Sequence, residues 1–226
     1  MQTFFRFFKN VPRVNTTKHK LFVLAACVCL LLTGALLYIP DVVHVSSSVS
    51  GRELPIYCVQ TDKPQIALTF DAAWGNEDTK QILSILEKHQ VSATFFMTGG
   101  WVSSYPQDVT AIFEAGHDLG NHSENHKNMS KLSTDEMAQE LSAVHERVKE
   151  LTGQEMHLFR PPYGDYSNEV IQTAASLGYY TIQWDVDISA THGYNILDLP
   201  DNLYPIFTNQ HFLNKGCRCQ MLLFHI

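Results

Sequence analysis

Short apolar runs alternate with amphipathic stretches from residue 64 to residue 187. A short, mostly apolar run is typical of a strand buried on both faces, whereas a helix packed on a sheet repeats apolar residues at i, i+3 and i+4. Runs of the first kind occupy residues 65–70, 91–97, 118–121, 158–159 and 179–184. Their alternation with helical stretches predicts a parallel sheet with helices outside it, of the α/β barrel class.

The helices between these runs are predicted from their start and stop signals. Ser133 and Glu136 form a capping-box pattern ahead of an apolar stripe that ends at Gly153. The other signals are caps and breakers, which predict a helix with Asn76 as N-cap and Glu77 and Asp78 in its first turn, a helix from Pro106 to Gly116, and a helix from Asn168 to Leu177.

The N-terminal part of the chain has a different pattern. Residues 1–20 carry lysines and arginines and no acid, and residues 21–39 are apolar and uncharged. This pattern predicts a transmembrane helix at 21–39 with a cytoplasmic basic segment at 1–20, a serine-containing linker at 40–60 and an extracytoplasmic domain at 61–226. The expected location is the cell membrane, crossed once.

The apolar segment has two other interpretations. A cleaved signal peptide is less favoured, because the run is long and no small-x-small cleavage site follows it. A lipid-attachment box at Leu24-Ala25-Ala26-Cys27 is also less favoured, since most of the apolar residues follow Cys27 and few precede it.

Composition narrows the possible partners. The chain has 226 residues, is 45% hydrophobic and carries a net charge of -7, which argues against nucleic acid as a partner. The five cysteines do not form the pattern of a disulfide framework, and Cys217 and Cys219 are too close together to bridge comfortably. The composition does not predict an oligomeric state.

Candidate chemistry appears where the predicted strands end. Asp71 follows the first strand, and His122 and His126 follow the third; at i and i+4 they are expected on one side of a helical turn, where two imidazoles can bind one divalent metal. Arg160 follows the fourth strand and is a plausible partner for Asp71. Because carboxyl ends of barrel strands share one rim, these residues are expected to converge with His225, near the C-terminus.

These residues favour metal-assisted hydrolysis of an amide or ester. Metal on the histidines would polarise a carbonyl and a bound water, and Asp71 would take a proton from that water. The N–H of Tyr163 is expected to meet an oxyanion, since Pro161 and Pro162 lack N–H groups. His225 is expected to protonate the leaving group.

The set resembles the polysaccharide deacetylase family, also called the NodB-homology domain or carbohydrate esterase family 4. The residues that carry the resemblance are Thr69-Phe70-Asp71-Ala72-Ala73, His122-Ser123-Glu124-Asn125-His126, Arg160-Pro161-Pro162-Tyr163-Gly164 and Leu223-Phe224-His225. The resemblance implies a distorted (β/α) barrel and metal-dependent removal of acetyl groups from N-acetylated cell-wall polysaccharide such as peptidoglycan. It implies Asp71 as base, His122 and His126 as ligands of a divalent metal such as zinc, Tyr163 at the oxyanion loop and His225 as acid. With the membrane segment, Phe70-Asp71-Ala72-Ala73-Trp74-Gly75 looks most like a sporulation-associated branch.

The chain departs from the family pattern in two places. The family's second aspartate, a third metal ligand, is Ala72, so weak metal binding is expected; Glu77 and Asp78 are possible substitutes, although capping fits both better. After Asp187 the pattern is lost, which favours a frameshifted or truncated C-terminal part at 188–226 and leaves the match at His225 open to chance. Two alternatives to an active deacetylase follow: a catalytically weak or inactive glycan-binding relative, and a fragment without a stable fold.

Overall fold

The computed structural model describes residues 51–59, 65–187 and 219–225, together with Leu24 and the strand Ser48–Val49. Of the predicted transmembrane segment 21–39, only Leu24 is described, and it is helical. Among the described residues, none of the helices has the length and apolar character needed to cross a membrane. The segment expected to be a frameshifted or truncated C-terminal part, 188–226, lies outside the described residues from 188 to 218 and at 226.

An eight-stranded sheet organises the domain, as the alternating pattern predicts. Strands β4, β5, β6, β7 and β8 follow one another in parallel, and β10 lies beside β4, also in parallel. The arrangement is an α/β half-barrel. Strand bounds are β1 Ser48–Val49, β2 Arg52–Glu53, β3 Cys58–Val59, β4 Gln65–Ala72, β5 Thr94–Met97, β6 Asp118–Asn121, β7 Leu158–Phe159, β8 Tyr180–Thr181, β9 Val186–Asp187 and β10 Cys219–His225.

The helices alternate with the strands along the chain, as predicted. Ser133 caps the longest described helix and completes the predicted capping box with Glu136, and Gly153 in the left-handed region ends it. The helix bounds are α1 Thr79–His89, α2 Gly99–Ser104, α3 Pro106–Glu114, α4 Thr134–Thr152 and α5 Asn168–Ser176. All five of these helices contribute buried side chains to one apolar cluster between the helices and the sheet.

Some boundaries differ from the sequence predictions. Helix α1 begins at Thr79, not directly after Asn76, because the amide of Asn76 donates to Asp108 of α3 at 2.6 Å and holds the preceding loop. After the strand that ends at Met97, the pair Gly99-Gly100 opens α2, although glycine disfavours a helix, and the N-cap Thr98 accepts from the N–H of Trp101. Tertiary contacts override the local signals at both positions.

The prediction that residues 40–60 form a linker is wrong for the second half of this segment. Ile56 lies beside the edge of the sheet: its N–H donates to the carbonyl of Thr181, its carbonyl accepts from Gln183, and its side chain packs against the apolar cluster inside the half-barrel. Two residues on, β3 pairs with β10 at the other end of the sheet. Residues 56–59 therefore connect the two edges and belong to the folded domain.

Cys58 contributes a covalent link at this position. The cysteine is disulfide-bonded, which the sequence analysis did not predict. The disulfide therefore restrains the segment of residues 56–59, which connects the two edges of the sheet.

Candidate active site

Alternation along β4 separates the polar residues of the site from the core. Thr69 and Asp71, two residues apart, point to the same face of the strand, where both contact Arg160. Phe70 and Ala72 point to the opposite face and are fully buried in the apolar cluster between the sheet and the helices. The methyl group of Ala72 is thus part of that core, on the other side of the strand from Asp71.

Arg160 lies at the centre of the site and is completely buried. One guanidinium nitrogen donates to Oδ1 of Asp71 at 2.6 Å, and the other donates to the hydroxyl of Thr69 at 2.9 Å. The guanidinium also lies over the ring of Phe96, 4.1 Å from the ring centroid, and 5.7 Å from that of Trp184. The aromatic rings and the ion pair together fix the plane of the guanidinium, as the predicted pairing of Asp71 with Arg160 requires.

The position of Phe96 depends on a glycine of the next strand. Phe96 is the register partner of Asp71 on one side and of Gly120 on the other. A Cβ atom at Gly120 would come within 2.5 Å of the Phe96 ring. Only glycine therefore lets this ring lie flat against β6 and support Arg160.

His122 is oriented by the backbone of the same arginine. Its Nδ1 lies 2.8 Å from the carbonyl oxygen of Arg160, and a carbonyl oxygen only accepts, so Nδ1 carries a proton. In the neutral ring, Nε2 then carries a lone pair and no proton, and it lies 3.6 Å from Oδ2 of Asp71. This tautomer is the one in which an imidazole can bind a cation through Nε2.

His126 is brought to His122 by a loop, not by a helix. The expected helical turn is wrong: Ser123 and His126 have φ angles of 64° and 53°, in the left-handed region. The turn is held because the N–H of Ser123 donates to Oδ1 of Asn121 and the N–H of His126 donates to the hydroxyl of Ser123. The two imidazole rings nevertheless lie close, with centroids 4.9 Å apart.

Helix α4 holds this loop from outside. Glu140, which is 4% exposed, accepts from the N–H of Asn125 at 2.7 Å and from its side-chain amide at 2.8 Å, and pairs with Lys127 at 2.8 Å. Burial by itself would raise the pKa of Glu140, but the hydrogen bonds from Lys127 and Asn125 outweigh it and lower the pKa below its ordinary value. The carboxylate thus stays ionised and fixes the residue before His126.

A second ion pair holds the neighbouring residue. Arg147 of α4 makes a two-pronged contact with Glu124, at 2.9 and 3.1 Å, and also donates to the carbonyl of Gly99 at 3.0 Å. A Cβ atom at Gly99 would collide with the carboxylate of Glu124, so glycine is needed there. The segment between the two histidines is therefore anchored at two consecutive residues.

Two exposed aromatic side chains border His126. The Tyr163 ring lies 4.6 Å and the Trp74 ring 5.0 Å from the imidazole centroid. Tyr163 has a φ of 60°, which is uncommon for a residue with a side chain. In its turn the N–H groups of Gly164 and Asp165 donate to proline carbonyls and the prolines have none, so the donor left in this turn is the N–H of Tyr163.

His225 is placed at this rim by its strand. Strand β10 pairs with β4 over its whole length, with His225 opposite Asp71. Leu223 is completely buried, so the Leu223-Phe224-His225 segment forms part of the sheet. The backbone therefore brings His225 to the predicted end of the sheet, and its side chain is outside the described part of the structure.

The donor set fits a divalent cation in part. His122 and His126 offer two imidazoles, and His122 is in the correct tautomer. Within the described ranges, no group of three His, Cys, Asp or Glu side chains is arranged to hold a metal ion. Of the possible substitute ligands, Glu77 accepts from the N–H of Asn76, and Asp78 is the N-cap residue of α1. The residues present thus fit a two-histidine site, which binds metal more weakly than three protein ligands.

Several residues of the site were not identified from the sequence. Thr69 had a usable signal, because its spacing of two from Asp71 puts both on one face of a strand. Phe96, Trp184 and Glu140 had none, since each reaches the site through the pairing of distant segments. Trp74 was noted as part of a motif and not as a site residue.

The chain was compared with known proteins. A family model described as polysaccharide deacetylase matches residues 59–182. Bacillus subtilis protein YlxY is 42% identical over 59% of this chain and 42% of its own length. The peptidoglycan-N-acetylmuramic acid deacetylase PdaA of Bacillus subtilis is 36% identical over 65% of this chain and 56% of its own length. The chain thus spans about half the length of the curated relatives that it matches.

Solved structures show the same fold. A wild-type CE4 family pseudoenzyme from Bacillus anthracis superposes with a TM-score of 0.62 at 34% identity, covering 76% of this chain and 58% of its own. A mutant of it, described as having restored enzymatic activity, gives a TM-score of 0.62 at 35% identity, over 76% of this chain and 60% of its own. Since the family model covers more than half of the sequence, this chain belongs to the polysaccharide deacetylase family.

Proposed function

We propose that this protein is a metal-dependent deacetylase of N-acetylated cell-wall polysaccharide, of the peptidoglycan type, which hydrolyses the acetamide C–N bond. One observation carries the proposal: Arg160 orients Asp71 through its guanidinium and His122 through its backbone carbonyl. The base and a cation ligand expected from the sequence are thus held against each other by a single buried residue.

Stability alone does not account for this arrangement. A buried ion pair is often no more stabilising than apolar residues of the same volume, because both charges lose their hydration. Asp71 and Arg160 are 3% and 0% exposed. A catalytic role for the carboxylate accounts for a charged pair at this buried position.

The residues have distinct roles in this proposal. His122 and His126 would hold the divalent cation, which supplies Lewis-acid polarisation of the acetyl carbonyl and of a water molecule. Asp71, held in place by Arg160, accepts a proton from the attacking water. The N–H of Tyr163 donates to the oxyanion that forms, and His225 donates a proton to the leaving amine.

A specific observation favours a second candidate, a glycan-binding relative with little or no catalysis. Ala72 stands where the family has a ligand, and its methyl group packs in the apolar core. The described residues offer no third ligand. A solved relative at 34% identity is itself described as a pseudoenzyme, and other relatives are described as deacetylases.

The proposal also includes the location of the protein in the cell. We infer that residues 21–39 anchor the protein in the cell membrane, with residues 1–20 in the cytoplasm and the domain outside, where cell-wall glycan is found. The basic N-terminal flank supports this orientation. The disulfide at Cys58 also supports it, because disulfides persist in oxidising compartments outside the cytoplasm. A role in sporulation stays a prediction.

Zinc binding and acetate release together test the two candidates. Calorimetry on the full-length chain is expected to show weak zinc binding that His126→Ala abolishes, and acetate release from peptidoglycan fragments is expected to follow zinc occupancy. Zinc binding without acetate release from a folded protein favours the glycan-binding candidate. Zinc binding that survives His126→Ala contradicts the proposed ligand pair.

The variant Ala72→Asp separates a missing ligand from a damaged site. If the site is otherwise intact, the added carboxylate raises zinc affinity and acetate release, and Ala72→Asn, of similar size, does so less. Because Ala72 lies in the core, the melting temperature of both variants is needed to show that they fold. A folded Ala72→Asp protein that gains zinc affinity without acetate release contradicts the deacetylase proposal. One that gains no zinc affinity indicates that a carboxylate at this position stays on the core face of β4.

A further inference from the structure

An exposed indole lies beside the candidate site on an anchored loop. Trp74 is 67% exposed, although tryptophan is among the side chains that gain most from burial. Its ring contacts His126, with centroids 5.0 Å apart. Neither the catalytic proposal nor the family pattern that the sequence matches assigns a role to this side chain.

The loop that carries Trp74 is fixed on its C-terminal side. The indole N–H of Trp101 donates to the carbonyl of Gly75 at 2.5 Å, and the side-chain amide of Asn76 donates to Asp108 at 2.6 Å. Gly75 has a φ of 65°, a conformation that favours glycine. On the N-terminal side, Ala72 ends β4, and its carbonyl accepts from Thr98. The indole is therefore displayed on a held backbone.

A second exposed aromatic residue extends the same surface. Tyr163, which is 65% exposed, contacts His126 with ring centroids 4.6 Å apart. Trp74 and Tyr163 thus form an aromatic surface that shares His126 with the candidate site. Two aromatic rings are far smaller than a protein–protein interface, which needs on the order of 1,000 Å² of buried surface. Their size matches a ligand of one or two rings.

We propose that Trp74 is the stacking platform for a pyranose ring of the N-acetylated glycan, and that it binds glycan independently of any metal. A pyranose presents a flat C–H face to an aromatic ring and a rim of hydroxyl groups to hydrogen-bonding partners. The indole of Trp74 supplies the aromatic ring, and the polar edges of His126 and Tyr163 supply the hydrogen-bonding partners. Since the loop is already ordered, little conformational entropy is lost on binding. This inference rests on the glycan substrate of the proposed function.

Calorimetric titration of the full-length chain with a soluble β-1,4-linked N-acetylglucosamine oligomer, with EDTA present, tests the platform. Trp74→Ala is expected to weaken binding about tenfold, since loss of one stacking ring has effects of this order. Trp74→Phe keeps a ring and is expected to retain most of the affinity. The matched control is Tyr180→Ala, which removes a 51% exposed aromatic ring from β8. It is expected to leave the affinity unchanged.

The outcomes separate this inference from the proposed reaction. Equal affinity of wild type and Trp74→Ala, or an equal loss in Tyr180→Ala, overturns the platform. Glycan binding that depends on Trp74 without acetate release removes the catalytic proposal and leaves the platform standing. Acetate release with a KM unchanged by Trp74→Ala overturns the platform and leaves the catalytic proposal standing. A folded wild-type protein that binds no oligomer overturns the platform as well.

Discussion

Arg160 donates to the carboxylate of Asp71 at 2.6 Å, although the two residues are 89 positions apart and both side chains are sealed from solvent. The pair joins the ends of β4 and β7, two strands separated in the sheet by β5 and β6. This charged pair belongs to the proposed catalytic site and also links two strands of the sheet, so its loss is expected to affect the stability of the fold. Its effects can be measured without any metal or substrate.

Breaking this pair on one side is expected to be costly. Arg160→Met leaves the carboxylate of Asp71 buried without its partner, and we expect a loss of about 3–5 kcal/mol in the free energy of unfolding. The measurement is urea unfolding followed by circular dichroism. Lys149→Met, which removes one side of an exposed pair with Glu155, serves as the control and should have little effect.

The double variant decides whether the cost comes from the orphaned charge. With Asp71→Leu added to Arg160→Met, both charges are gone and much of the stability should return. If the two losses simply add, the two charges are not coupled and the predicted cost of an orphaned charge is wrong. If the double variant is as unstable as Arg160→Met, the pair itself stabilises the fold and the functional argument from its burial fails.

A methyl group at Gly120 is expected to disturb the site through Phe96. The new Cβ would lie 2.5 Å from the ring, so Phe96 must shift towards Arg160, and overpacking of this kind costs about 1–3 kcal/mol. Gly100→Ala is the matched control, because it has nothing within 4 Å and lies in α2, where alanine is favoured over glycine. Equal melting temperatures for the two variants would contradict the predicted clash.

Glu140→Gln is expected to loosen the histidine loop in a pH-dependent way. Since the folded-state pKa of Glu140 is lowered, its stabilisation is present above the ordinary carboxyl pKa and is lost as the pH falls through the folded-state value. The variant should therefore be less stable than the wild type at pH 7, with a smaller difference in strong acid. Unfolding measured from pH 7 down to pH 3 checks this.

An exposed glutamate provides the comparison for that series. Glu155 also has a lowered pKa, through Lys149, but its side chain is exposed, so Glu155→Gln should follow the wild-type curve closely. A stability difference for Glu140→Gln that stays constant with pH would indicate lost packing and not a lost charge.

His117 is expected to make the fold less stable in mild acid. Burial lowers its pKa, with Asp118 partly opposing the shift, and its Nδ1 accepts from the N–H of Ala93 at 3.3 Å, which requires that nitrogen to be unprotonated. Protonation is therefore favoured in the unfolded chain, and stability is lost as the pH falls below about 6.5. His117→Asn should remove this component from a pH series of melting temperatures, and His89→Asn, at an exposed histidine, should not.

The sequence alone determined the alternation of strands and helices, because burial on two faces and burial on one face leave different periods. It also determined local structures whose partners lie within a few residues. The capping box of Ser133 and Glu136 is one, and the helix Asn168–Ser176 is another. The candidate residues Asp71, His122, His126 and Arg160 were found in the same way, by their positions at strand ends.

The tertiary structure decided what depends on segments far apart in the chain. The two histidines meet through a left-handed loop held by Glu140 and Arg147, although their spacing predicted a helical turn. Ile56 also belongs to the domain because of a distant contact, since its hydrogen-bonding partner Thr181 is remote in sequence. Spacing along a chain specifies which residues share a local face, whereas the contacts that fix their orientation come from strand pairing and packing, which no local pattern contains.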